Sequence, residues 1–262
     1  KAEPTPAGGY TAAKISVKGL KGGHSGIQIV CQRANANKVL FRFLNAAPCD
    51  VLLASVDGGG LRNAIPREAE AVVRTGDAAA LRRAAEALAA ALRAEYHAAD
   101  GHITVTVTET GDGLTPMDAA STERAITLLL CAPNGVVEMS MDVPGLVQTS
   151  LNLGIMYTDE DRQVLRASIR SSVATQKKAV LDQLICLTEQ LGGTTEAEGD
   201  YPGWEYMPQS PLRDLMVQVF TDQYGYAPKV EAIHAGLECG LFSAKLPGLD
   251  CVSFGPDLKE IH

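Results

Sequence analysis

The sequence predicts an α+β protein in which a βαββαβ run is doubled and then followed by part of an α/β unit. Three observations predict it. Apolar residues alternate with period two in some segments and recur every three to four residues in others. These segments first follow in the order strand, helix, strand, strand, helix, strand, the split βαβ arrangement. A similar order then recurs downstream, the mark of an internal repeat. At 262 residues the chain has room for about two domains and for a core that needs no staples.

The elements follow in order. Ile15 and Val17 open a strand over 15–20. Gly22-Gly23-His24-Ser25-Gly26 is a loop, and 26–46 reads as a helix with Val39, Leu40, Phe43 and Leu44 apolar. Strands follow over 51–56 and 70–75, separated by Gly58-Gly59-Gly60. Asp77 is an N-cap for an Ala/Leu-rich helix to about 98. Strict alternation over 103–108 marks a half-buried strand. The second run has a helix at 117–130 and strands at 135–141, 148–157 and 163–169. A helix capped by Ser172 carries Val173, Val180, Leu184, Leu187 and Leu191. Gly192-Gly193 ends it, and 194–197 is the expected closing strand. Ser55 precedes Arg74 by 19 residues and Ser150 precedes Arg170 by 20, which suggests a duplication. From Gly199 the texture changes. Ser210-Pro211 opens a helix that ends at Gly225, and strands at 229–233 and 251–254 flank a helix at 236–245. These divisions give a connecting segment at 1–9, a first domain at 10–195 and part of a second at 196–262.

Composition excludes several functions. Lys and Arg number 23 against 31 Asp and Glu, a formal charge of −8, so no nucleic-acid partner is expected. No apolar run reaches the ~20 residues that span a bilayer. The six cysteines are scattered, with no Cys-x-x-Cys, so zinc ribbons and thioredoxin-type sites are excluded. Reduced thiols in the cytoplasm are the expectation. No signal peptide is expected, and a start at Lys1 in a Pro/Gly-rich stretch suggests a piece of a longer protein. Phosphate-binding, dinucleotide, nucleophile-elbow and His-Glu-x-x-His motifs are all absent.

A few residues can carry chemistry. His24, between glycines, is placed to donate to an oxyanion or to contact a carboxylate; otherwise it caps the next helix. Arg170, ending an apolar strand, is either a bidentate carboxylate clamp or a surface ion pair. The Asn63 amide orients a substrate or serves a turn. His234-Ala235-Gly236-Leu237-Glu238 leads into a helix N-terminus, which favours anions, or is a plain turn. His262 follows a strand and is either a metal ligand or merely a terminus. His97 and His102 read as surface residues.

Six segments then carry a resemblance. They are Gly19-Leu20-Lys21-Gly22-Gly23-His24-Ser25-Gly26, Arg33-Ala34-Asn35-Ala36-Asn37-Lys38, Gly59-Gly60-Leu61-Arg62-Asn63-Ala64-Ile65-Pro66-Arg67-Glu68, Ser150-Leu151-Asn152-Leu153-Gly154, Ile233-His234-Ala235-Gly236-Leu237-Glu238-Cys239-Gly240-Leu241 and Ser253-Phe254-Gly255-Pro256. In this order they resemble the aminoacyl-histidine dipeptidase family of co-catalytic metallopeptidases, grouped with the carnosinases and tripeptide aminopeptidase. The likeness runs from about Tyr10 to His262.

The resemblance implies a cytoplasmic two-zinc hydrolase of dipeptides with free N-termini, in which the metals polarise the carbonyl and activate water while a Glu acts as base. Residues 10–195 would be a lid domain through which a homodimer forms, and 196–262 the returning part of the catalytic domain. His24 matches the lid histidine that reaches the tetrahedral intermediate. Arg170 matches the clamp for the substrate's C-terminal carboxylate. Asn63 and Asn152 match lid positions near the substrate, Gly236 and Glu238 the loop bordering it, and His262 the last metal ligand. The family's other metal ligands and its general base precede the lid and are absent here, so this chain alone is expected to be inactive and to hold no catalytic zinc. The alternatives are a non-catalytic dimerisation module, using strands 51–56 and 103–107, or a dipeptide-binding module.

Overall fold

The structure is a computed structural model that describes residues 9–111, 113–160, 162–234 and 237–255. Its elements in chain order are β1 (Thr11–Lys18), β2 (Gly23–His24), α1 (Ala36–Asn45), β3 (Val51–Gly58), β4 (Ala64–Ile65), β5 (Ala69–Thr75), α2 (Ala78–Glu95), β6 (Thr104–Glu109), α3 (Ala119–Cys131), β7 (Gly135–Met139), β8 (Val147–Asp159), β9 (Arg162–Ser171), α4 (Ala174–Gln190), α5 (Pro211–Tyr224) and α6 (Glu238–Lys245). A short 3-10 turn, Ile29–Cys31, follows the glycine-rich loop.

One antiparallel sheet of seven strands organises the chain, in the order β6-β1-β5-β3-β8-β7, with β9 along the other edge of β8. The first four are a complete split βαβ unit. Ala13, Ile15 and Val17 of β1, Leu53 of β3, and Ala71 and Val73 of β5 are buried with Leu40 and Phe43 of α1 and Leu81 and Leu92 of α2. The polar alternates stay at the surface, where Ser16 bonds Glu70. A second, smaller cluster joins Leu151 and Leu153 of β8 to Val180 and Leu184 of α4. The α+β class therefore stands.

The second run is shorter than the first. It repeats the central helix, strand, strand, helix as α3, β8, β9 and α4, with β7 added. Residues 194–197 form no strand. The two halves meet where Asp57 and Gly58 of β3 pair with Tyr157 and Met156 of β8. The repeat holds for elements but not for the matched residues. Arg74 faces Leu52 across its hairpin, whereas Arg170 faces Ser150.

Local chemistry explains the helix ends. The Asp77 carboxylate accepts from Ala80 N at 2.8 Å, and Ser210 Oγ accepts from Arg213 N at 3.1 Å, as expected for caps. Gly225 ends α5 in a left-handed conformation, φ 77°. At α4 the expected Ser172 cap is displaced. Val173 is the N-cap residue, without a side-chain cap, because the Ser171 hydroxyl takes up Val173 N at 3.0 Å. The strands expected at 229–233 and 251–254 form no ladder. Alternation gives them strand character, but no strand lies beside them among the described residues, and a strand exists only by pairing.

Candidate functional site

The glycine-rich loop is held open at both of its roots. Asp100 is buried; its Oδ1 accepts from Lys21 N at 2.6 Å and its Oδ2 from Ala34 N at 2.8 Å. Between them, β2 and β4 form a two-residue ladder that sets His24 against Ala64. Ser25 N donates to the Asn63 carbonyl at 2.8 Å.

Within that loop the His24 ring is oriented by its own backbone. Its Nδ1 accepts from Gly26 N at 3.1 Å and Ile27 N at 3.2 Å. A nitrogen that accepts carries no proton, so the neutral ring bears its hydrogen on Nε2. One nitrogen secures the turn, and the other is left to donate. Burial and then the charge of Arg170 lower its pKa, which keeps the ring neutral.

Strand β8 supplies the other wall. Gly154 makes a close approach possible: a Cβ there would lie 2.7 Å from the Arg62 carbonyl oxygen. The loop preceding β4 therefore rests directly on β8. Asn152 is buried, and its Nδ2 donates to the carbonyls of Arg62 at 3.0 Å and Ala64 at 2.8 Å. Its Oδ1 has no partner among the described residues. A cleft of about 240 Å³ opens beside it, lined also by Arg33, Gln32 and Asn134. A larger cleft of about 420 Å³, bordered by Tyr10, Asp50 and Glu123, shares no residue with this site and carries the wrong charge for an anion.

Arg170 stands opposite Ser150 in the β8–β9 ladder. It is half-buried, and its Nε is buried without a partner. Burial lowers its pKa, and no carboxylate pairs with it among the described residues. His234 completes the group. Its Nε2 lies 2.7 Å from Ser150 Oγ. Burial, then Arg170's charge, lower its pKa to about 4, against a hydrogen bond to the Val147 backbone that raises it.

Four buried side-chain atoms lack partners among the described residues: Ser25 Oγ, Asn37 Oδ1, Asn152 Oδ1 and Arg170 Nε. All belong to residues on or bonded around the 150–153 stretch of β8 or the His24 loop. Such groups cost about 1–3 kcal/mol each, so their grouping points to a ligand. A cation flanked by neutral imidazoles suits a carboxylate.

The structure thus brings His24, Asn152 and Arg170 together, with Asn63 joined through its backbone while its side chain is exposed. Glu238 is exposed in the first turn of α6, and no hydrogen bond or ion pair joins it to the group. Gly236 and His262 lie outside the described residues. Sequence reasoning gave no individual role to Ser25, used Ser150 only in the repeat and the resemblance, and placed His234 only within an anion-favouring turn. Ser25 adjoins His24, and Ser150 shares a strand face with Asn152, so both were within reach. His234 lies 84 residues from Ser150, and nothing local connects them. His97 is exposed, with Nδ1 3.0 Å from the Ala94 carbonyl, and His102 is exposed. All six cysteines are free thiols.

No group of three His, Cys, Asp or Glu residues placed to hold a metal occurs among the described residues. A two-zinc centre therefore does not fit within them. No helix among them is long and apolar enough to cross a membrane.

Comparison with known proteins agrees with this architecture. Residues 15–100 match the family model of a peptidase dimerisation domain. The cytosol non-specific dipeptidase of Escherichia coli strain K12 is 36% identical, over 99% of this chain and 54% of its own. The crystal structure of aminoacylhistidine dipeptidase from Vibrio alginolyticus matches with a TM-score of 0.92 at 36% identity, over 98% of this chain and 53% of the other. The chain spans about half the length of these relatives. Over nearly its whole length, then, the chain is similar to the cytosol non-specific dipeptidase and to aminoacylhistidine dipeptidase, and within it residues 15–100 match a peptidase dimerisation domain.

Proposed function

We propose that the chain provides the substrate clamp of a cytoplasmic dipeptidase acting on Xaa-His and other dipeptides with free N-termini, with residues 10–195 as a lid that also forms a homodimer. The observation that carries this reading is Arg170, a half-buried cation with an unpartnered Nε and two neutral imidazoles for neighbours. A dipeptide's C-terminal carboxylate satisfies the guanidinium bidentately. His24 Nε2–H then donates to the scissile carbonyl oxygen, whose charge grows as the tetrahedral intermediate forms. Asn152 Oδ1 accepts an N–H from the substrate backbone. In the whole enzyme a zinc pair would activate the water. Only His262 of the expected ligands belongs to this chain, so the bond-breaking step is not assigned to the described residues. The names of the relatives and the matched dimerisation domain support the substrate class and the dimer.

The purified chain is therefore expected to bind alanyl-histidine without added zinc and not to hydrolyse it with zinc. Arg170→Ala should weaken binding at least about tenfold, the loss of a charge-assisted hydrogen bond. Calorimetry and an amino-acid release assay measure both. Hydrolysis by the chain alone, or an unchanged affinity in R170A, overturns the reading.

A further inference from the structure

We propose that His234 is a positioning residue for the carboxylate clamp, acting on Arg170 through Ser150 and securing the 230–234 segment against the His24 loop. This rests on the reading of Arg170 as that clamp.

Three segments far apart in the chain meet at His234. Ser150 and Arg170 are direct partners in the antiparallel β8–β9 pair, so their side chains leave the same face, with Cβ atoms about 5 Å apart. The His234 ring reaches Ser150 Oγ at 2.7 Å. Its backbone carbonyl packs on the His24 loop, where a Cβ on Gly26 would lie 2.9 Å from the His234 oxygen and 3.0 Å from His24 Cε1. No larger residue fits at 26 without separating the two histidines.

The polarity of the arrangement is specific. The ring's bond to the Val147 backbone favours the protonated ring, so the ring donates and the carbonyl accepts. That leaves Nε2 to accept from the Ser150 hydroxyl. With its proton committed, Ser150 presents only lone pairs to the strand face it shares with Arg170, a polarity compatible with the cation. A carboxylate in place of His234 would neutralise Arg170 and compete with the ligand. A neutral imidazole orients the wall and leaves the positive charge for the substrate.

The test compares alanyl-histidine with its C-terminal amide, using calorimetry on the full 262-residue chain. His234→Leu keeps bulk but removes both hydrogen bonds. It should weaken alanyl-histidine about tenfold and change the amide by less than about twofold. His234→Gln, which retains a donor and an acceptor, should restore affinity to within about threefold of the unaltered chain. Ser150→Ala should reproduce the carboxylate-selective loss, and it carries the test if H234L does not fold. Equal weakening of both ligands means a merely structural role and overturns the proposal. So does an unchanged affinity in H234L and S150A while R170A loses binding. If R170A itself binds normally, it is the clamp reading that fails.

Discussion

At the scale of the residue, the site is built by withholding partners. Arg170, Ser25 and Asn152 each bury a polar atom without a partner among the described residues, whereas each carboxylate oxygen of the buried Asp100 accepts from a backbone N–H group. The contrast separates a group that waits for a ligand from one that supports the loop. His234 has a measurable consequence for stability. Its folded pKa is about 4 against an ordinary 6.5, so the unfolded chain takes up the proton first. Its contribution is complete above pH 6.5 and is lost as pH falls from 6.5 to about 4. The loss should reach about 2 kcal/mol once the solvent still reaching the ring is allowed for. Urea denaturation of the native chain and H234L between pH 7.5 and 4 measures it. The native chain should lose more stability than the variant over that window; parallel curves would refute the assignment.

At the scale of the element, buried polar groups hold the secondary structure together as much as the apolar stripes do. Lys38 on α1 donates through Nζ to the carbonyls of Leu129, Leu130 and Ala132 at 2.9, 2.7 and 2.8 Å. It thus satisfies the open end of α3, where the helix dipole also favours a cation. Lys38→Met preserves the stem and removes the charge. It should cost about 1–3 kcal/mol in urea denaturation. A cost within about 0.5 kcal/mol, usual for an uninvolved surface change, would show that water replaces the ammonium freely. The Asp77 and Ser210 caps were legible in the sequence because a cap and its helix lie within four residues of each other. The expected Ser172 cap is absent: the N-cap of α4 falls one residue later, at Val173, without a side-chain cap, and the Ser171 hydroxyl bonds Val173 N instead.

At the scale of the whole molecule, burial is uneven. The sheet and α1–α4 hold nearly all of the core, while α5 has no fully buried residue and α6 only Gly240. Leu215, Val219, Val230, Phe242 and Phe254 are each more than half exposed. Apolar side chains exposed in this number are expected to bind a hydrophobic dye. Removal of residues 199–262 should abolish most of that binding and leave the cooperative unfolding of the sheet unit intact. An unchanged dye signal, or a truncated chain that no longer unfolds cooperatively, would show that these helices belong to the core.

The α+β class, the position of most helices and strands, and the candidacy of His24, Asn152 and Arg170 were available from the chain read linearly. Each depends on periodicity, capping or a motif that acts over a few neighbouring residues. The tertiary structure alone decided that β3 and β8 join the two halves, that 229–233 and 251–254 pair with nothing described, and that His234 meets Ser150. It also decided that Arg170 has no carboxylate partner among the described residues. Alternation tells which face of a segment is apolar but not which strand lies beside it, and a ring nitrogen's partner 84 residues away is chosen by the packing of the whole sheet.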